Sequence, residues 1–294
     1  MSEPIMERGP INHAAGGRKR GAPAARKARA VHAVLIAGAV LMIFPFVWMI
    51  LTSFKSIGES VQIPPTFLPN TWLMDGYREV TRVLPFGKLY FNTLALIFFR
   101  IVCAVVFSSM AGFAFAKLQF PLKRLLFFLV LSQLMLPIQI FIIPQYVMLS
   151  KLKQLNTLFA LVFPGLVSAF GTFFLRQFYL SLPNDLSEAA KLDGCNIGQT
   201  FLRILFPLTR TALMALGVFT AVFAYSDMMW PLIVNMNIDK MTLSAGINSL
   251  RGQFTTQYPT IMAGSTLAMA PMMVIYLLFQ RQFIEGIALT GTKA

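Results

Sequence analysis

Acidic residues are scarce in this sequence: eleven Asp and Glu stand against 25 Lys and Arg in 294 residues, and charged side chains of all kinds make up 12%. With 56% of the residues hydrophobic, so little charge cannot clothe a water-soluble core, which excludes an ordinary soluble enzyme and places the chain in a bilayer. There are two cysteines. Cys103 lies inside an apolar run and Cys195 in a polar loop, so a disulfide is not expected. The two histidines, His13 and His32, sit in or beside the N-terminal tail, and no HExxH or other metal-ligand spacing accompanies them. A GxxxxGK[ST] phosphate loop is missing too, and without its backbone amides and Lys the chain has nothing to cradle ATP. No bound cofactor is therefore expected on this chain.

What is present is a series of long apolar runs. A helix needs about 20 mostly apolar residues to cross the hydrocarbon. Six runs meet or approach that length: 31–54, 89–116 with Arg100 as its one charge, 125–150, 158–175, 211–234 with Asp227 as its one charge, and 252–280. The last exceeds a span, so its first residues should lie outside the bilayer. No β-barrel alternation is visible. The expected fold is an all-α membrane protein with six transmembrane helices, kinked where Pro45, Pro137, Pro164, Pro231 and Pro271 fall in or at the ends of runs. The chain divides into a basic, disordered tail (1–30), a first span with an outer loop (31–86), a transmembrane core (87–281) and a C-terminal tail (282–294).

Orientation follows from the cations. Seven Lys and Arg precede the first span, from Arg8 to Arg29, which puts the N-terminus in the cytoplasm, and six crossings return the C-terminus there. Twice as many Lys and Arg then fall on the inner side as on the outer. The basic tail reads as lipid-facing, not as a nucleic-acid reader.

This topology makes a polar loop, 183–207, cytoplasmic. Asp185 and Glu188 have capping-box spacing, which predicts a helix from about Leu186 through the Ala189-Ala190-Lys191-Leu192 run, closed by Gly194 in a left-handed turn. Asn196 and Gln199 repeat the spacing and predict a second helix from Ile197 to Phe206 before Pro207. Each signal alone serves any loop; their joint order suggests a folded helix-turn-helix built to be held by another protein.

Glu188-Ala189-Ala190, with Gly194 six residues after the Glu, Ile204 sixteen after it and Pro207 nineteen after it, resembles the EAA signature of ABC importer membrane subunits. "FNTLAL" from Phe91, "AGFAFAKLQFP" from Ala111, "AYSDMMWPLIV" from Ala224 and "MAGSTLAMAPMMVIYLLFQRQFIEGIALTG" extend the resemblance to the six-span permeases of carbohydrate importers, such as the maltose system. The resemblance implies the type I ABC importer permease fold and a bacterial cytoplasmic (inner) membrane location. It implies that Glu188, Ala189, Ala190, Asp193 and Gly194 form a coupling helix docked in an ATPase subunit. The implied partners are an ABC ATPase dimer that uses the ATP, a second permease chain, a periplasmic or surface substrate-binding protein and membrane lipid, with no nucleic acid. The chain itself is then no enzyme, and its cargo is a sugar, polyol or oligosaccharide.

Candidates for the pathway come from polar groups inside the runs. Gly217, Thr220, Ala224 and Asp227 recur at helical spacing, a stripe able either to touch hydroxyls or to pack a neighbour. Arg100 is deep enough in its span to read as functional, with snorkelling, a helix carbonyl or Asp227 open as its partner. Gln139 shares a face with Ser132 and Met135, and Gly165 shares one with Ser168 and Thr172. The rival reading is an ion-coupled secondary transporter, which needs membrane-buried carboxylates and often repeated halves; only Asp227 is available and no repeat is visible.

Overall fold

The structure, a computed structural model, describes residues 22–253 and 257–291, and among these every regular element is helical. The chain falls into two units that divide after Trp48. Helix α1 spans Ala22–Ser53 with Pro45 inside it. Its helix begins upstream of Val31, so the part of the expected tail from Ala22 on is helical; residues 1–21 lie outside the described residues. Val34, Leu41 and Met42 are all exposed, the signature of a helix apolar all round and meant for lipid.

The second unit is built around α3 (Phe86–Lys117), preceded by the amphipathic α2 (Asp75–Val83). It continues through α4 (Lys123–Met135), α5 (Ile142–Lys151), α6 (Leu158–Val162) and α7 (Ala169–Ser181). The polar loop contributes α8 (Asp185–Leu192) and α9 (Ile197–Leu208), followed by α10 (Arg210–Ser226), α11 (Met229–Val234), α12 (Leu243–Gln253) and α13 (Tyr258–Gly291). α3 lies between α7 and α10, while α10 and α2 both pack on α13.

Three long apolar helices can cross a membrane outright, α1 from Arg29, α3, and α13 as far as Gln280; three bent pairs bring the total to six. The expected third span is α4 plus Ile138–Lys151, bent by 105° where Pro137 interrupts the helix. The fourth runs on to Ser181, past the expected end at 175, with a 44° bend between Gly165 and Ala169. Ser168 caps the restart, its side chain accepting from Gly171 N at 2.9 Å. The fifth is not one helix to 234. α10 is 17 residues, about 25 Å long, and ends at Ser226, because Asp227 leaves helical geometry (ψ 110°) before α11 begins. The sixth run is carried by α13, which begins at Tyr258 after the end of α12 at Gln253 and continues to Gly291 where a tail from 282 was expected.

Small residues set the closest crossing. A Cβ on Gly112 of α3 would lie 2.9 Å from the backbone N of Arg176 in α7, and a Cβ on Gly171 would meet the side chain of Ser108. Backbones therefore touch where larger residues would hold them apart, as membrane helices without a hydrophobic drive between them require. Beside the crossing, buried Ser109 Oγ and Tyr179 OH share a hydrogen bond of 2.8 Å.

The polar loop sits at the end of the bundle where α3 finishes. Lys117 Nζ donates to Leu182 O (2.7 Å) and to Asn184 Oδ1 (2.8 Å), tying the end of α3 to the loop's entrance.

Candidate functional site

The candidate residues fall in two places, a cleft among the helices and the loop at the end of the bundle. The cleft, about 430 Å³, is walled by α3, α4, α7 and α10 and by the breaks between them. All four pathway candidates, Arg100, Gln139, Thr220 and Asp227, line it. Gln133, Gln145, Ser168 and Trp230 line it too. Sequence periodicity missed Gln133 and Gln145 because the Pro137 break separates Gln133 from Gln139, and the change from the 3-10 turn Ile138–Phe141 to α5 separates Gln139 from Gln145.

At its wall Arg100 and Asp227 form an ion pair: Asp227 Oδ2 accepts from both Arg100 Nη1 and Nη2 at 3.2 Å. Straight-helix bookkeeping puts these residues at different depths. α10 has ended by Asp227, however, and the arginine stem reaches several Å, so the two meet. Arg100 also donates from Nη2 to Leu161 O at 2.7 Å, while its Nε is buried without a partner. Two of the roles left open for Arg100, a helix carbonyl and Asp227, are thus both realised. Gly165 makes room for the stem: a Cβ there would lie 2.8 Å from Arg100 Cδ.

Asp227 also accepts from Trp230 N at 3.4 Å, and Trp230 Nε1 donates to Ala160 O at 2.8 Å. α3, α6, the end of α10 and α11 are therefore joined through one charged group. A buried pair with further hydrogen bonds fixes geometry more than it adds stability. The carboxylate that an ion-coupled carrier would have to protonate is already held by a guanidinium.

The small-residue stripe of α10 splits. Thr220, Ala224 and Asp227 face the cleft, whereas a Cβ on Gly217 would meet Ile101 on α3 in ordinary packing contact. Ser132 and Met135 do not line the cleft with Gln139; Ser132 Oγ bonds Leu129 O on its own helix (2.8 Å) and Met135 is 84% exposed. Gly165 and Ser168 reach the cleft, and Thr172 is buried in the core.

In the loop, α8 starts one residue earlier than expected and its capping box is not formed. Asp185 is itself helical, the amides of Ser187 and Glu188 bond Asn184 O (2.9 and 3.1 Å), and no side chain caps the helix start. Asn184 instead spends its side-chain oxygen on Lys117. Asp185 and Glu188 remain in the first turn, where the helix dipole favours them. The far end follows expectation: Gly194 has φ +80°, Cys195 N bonds Ala190 O (2.9 Å) and Gly194 N bonds Lys191 O (3.1 Å), a Schellman closure. The Asn196–Gln199 capping box is present with both bonds at 2.9 Å. α9 runs past the expected Phe206 to Leu208 through a π-helical stretch at Thr200–Leu205.

α8 is two-faced. Leu186 packs on the Phe113–Leu175–Tyr179 core and Ala190 is 2% exposed, so this face belongs to the chain itself. Glu188, Ala189, Asp193 and Gly194 are exposed, with Leu192 at 89%. Of the five coupling candidates, four lie outward and Ala190 lies inward as the contact that seats the helix. A leucine that exposed, capped at both sides by charge, is the one feature of the loop that sequence spacing did not single out.

The family described as binding-protein-dependent transport system inner membrane component matches residues 104–288. The chain is 32% identical over 264 residues to the sn-glycerol-3-phosphate transport system permease protein UgpE of Escherichia coli O6:K15:H31, covering 87% of this chain and 94% of that one. It is 31% identical over 258 residues to the arabinooligosaccharides transport system permease protein AraQ of Halalkalibacterium halodurans, covering 87% and 92%. Among solved structures it resembles a chain of a bacterial ABC transporter involved in the import of the acidic polysaccharide alginate, with a TM-score of 0.72 and 21% identity over 88% of this chain and 97% of that chain.

Proposed function

We propose, for a chain that belongs to the family of binding-protein-dependent transport system inner membrane components, that it forms half of the translocation pathway of an ATP-driven sugar importer and is driven through α8. The observation that carries this reading is the outward face of α8, a helix closed at Gly194 that exposes Glu188, Ala189, Leu192 and Asp193 at one end of the bundle. A rigid helix held in the cleft of an ATPase moves with it, and α7 and α10, which flank the loop, move with the helix.

The machine needs two such helices for two ATPase subunits, so a second permease chain completes the pathway. A substrate-binding protein delivers cargo at the other end of the bundle. Placing both termini in the cytoplasm agrees with the excess of Lys and Arg at the loop end. The cargo class is a sugar, polyol or oligosaccharide. The cleft supports this with three amide side chains, Gln133, Gln139 and Gln145, and the hydroxyl of Thr220, groups that exchange hydrogen bonds with hydroxyls. Its one cation is already paired with Asp227.

The test is co-purification of the ATPase from cells expressing the whole importer. Glu188→Lys reverses a charge on the exposed face without touching the core. It should leave the chain in the membrane and its permease partner bound while reducing the ATPase recovered; undiminished recovery rejects docking at α8.

A further inference from the structure

A second cleft, about 710 Å³, opens between the end of α3, the start of α4 and α7, at the same end of the bundle as α8. Its lining carries Lys123, Arg124 and Arg176 and no acidic residue. Three cations converging with no carboxylate to neutralise them repel one another, an arrangement that gains stability only when an anion joins it. The walls are aromatic: Phe115 meets Phe120 and Phe127 in tilted contacts with ring centroids 5.7 and 5.3 Å apart.

Arg176 is fixed in place. Its guanidinium lies 4.1 Å over the Phe127 ring and its Nε donates to Phe115 O at 3.2 Å, which leaves both terminal nitrogens without a protein partner. That is a preorganised fork for a phosphate. Lys123 Nζ donates once, to Leu118 O at 2.6 Å, and keeps two N–H groups. Arg124 is exposed with no partner. The position adds the second half of the ligand. Leu125, Phe128 and Leu129 continue from the cleft along α4 as exposed apolar side chains, a track for hydrocarbon running down from the phosphate. A basic pocket at the end of membrane helices with an apolar track below it has the chemistry of an anionic phospholipid site.

We infer that the Lys123–Arg124–Arg176 cleft binds the phosphate of an anionic glycerophospholipid, with Arg176 as the bidentate ligand and acyl chains along α4. The lipid sits on the turn between Lys117 and Lys123, and Lys117 holds the entrance to α8, so occupancy of the cleft braces the base from which the coupling helix projects. The placement at a cytoplasmic surface rests on the reading given under Proposed function; the binding itself does not.

The test uses the complete importer in nanodiscs of phosphatidylethanolamine with phosphatidylglycerol, ejected for native mass spectrometry. Wild type should retain phosphatidylglycerol, and Arg124→Gln should lower retention roughly fivefold, the effect of one surface cation on an anionic lipid. Arg176→Gln should lower it further. Because Arg176 also braces Phe115 and Phe127, the unpartnered Arg124 keeps the test open if Arg176→Gln fails to assemble. Lys151→Gln, far from the cleft at the end of α5, should change nothing. In nanodiscs of phosphatidylcholine alone, phosphatidylglycerol added back should protect Arg176 from phenylglyoxal, and inorganic phosphate at equal concentration should not. Retention unchanged in Arg124→Gln, retention lost equally in Lys151→Gln, or protection by phosphate alone would overturn the lipid assignment. ATPase recovery is read in the same samples, so a failure of α8 docking registers separately from a failure of lipid binding.

Discussion

Arg100 and Asp227, 127 residues apart in sequence, meet at 3.2 Å on the wall of the central cleft, where α10 has ended and α11 has not begun. The carboxylate binds the guanidinium of α3 and the amide of Trp230, and the guanidinium binds Leu161 O. One charge pair thus closes the break in the fifth span. Without it the Trp230 amide at the break and the largely buried guanidinium of Arg100 would both lose a charged partner.

Asp227→Asn should therefore destabilise the chain by about 1–3 kcal/mol, below the cost of breaking a fully buried pair because the Asp227 side chain is 24% exposed. Arg100→Met together with Asp227→Leu should recover part of that loss, because no charge is then stranded. Thermal unfolding of Arg100→Met, Asp227→Leu and the double variant beside wild type in one detergent, read as a double-mutant cycle, measures the coupling; additive losses would mean that the two groups do not depend on each other.

The close crossing of α3 and α7 predicts a sharp steric response at Gly112. A methyl there meets the backbone N of Arg176 at 2.9 Å and Leu175 Cβ at 3.0 Å, and backbone cannot swing aside as a side chain can. Gly112→Ala should lower stability by about 1–3 kcal/mol, the range for overpacking. Gly217→Ala, whose Cβ would stay 3.5 Å from Ile101, should be close to neutral. Midpoint temperatures of the two variants compared with wild type decide it, and equal shifts would contradict the packing described.

The loop's second helix depends on reciprocal hydrogen bonds between Asn196 and Gln199. Asn196→Ala removes one directly and leaves the Gln199 amide unpaired, which should cost about 1 kcal/mol of local stability. Asn196→Ser should restore most of it. Hydrogen exchange at the amides of Ile197 to Thr200 is the readout: faster exchange in Ala than in Ser is expected, and identical rates would mean that the cap is idle.

Much of this arrangement is legible in the sequence. Long apolar runs mark the spans because the hydrocarbon imposes a length, and the Gly194 turn and Asn196 cap follow from backbone chemistry local to a few residues. The start of α8 departs from the local spacing for a non-local reason: Asn184, not Asp185, sits at the entrance, and Lys117 from a distant helix claims its side chain. The meeting of Arg100 with Asp227 depends on where α10 stops, and that follows from the turn at Asp227 rather than from periodicity. Gln133 and Gln145 stayed hidden because a helix broken at Pro137 has no single face. Ala190 is in the signature yet faces inward, a distinction that spacing along the chain cannot make.

The central claim is that α8 is gripped by a motor from outside the chain. Leu192 at its tip and Met236 beyond α11 are both strongly exposed, at 89% and 71%, in separate parts of the fold. Placing a photo-crosslinking amino acid at each position in the assembled importer asks directly what each one touches. A crosslink from position 192 to the ATPase subunit, both with and without nucleotide, together with none to the ATPase from position 236, is the result predicted here. A crosslink from position 192 to lipid or to the substrate-binding protein, with the ATPase reached only from 236, would contradict the account.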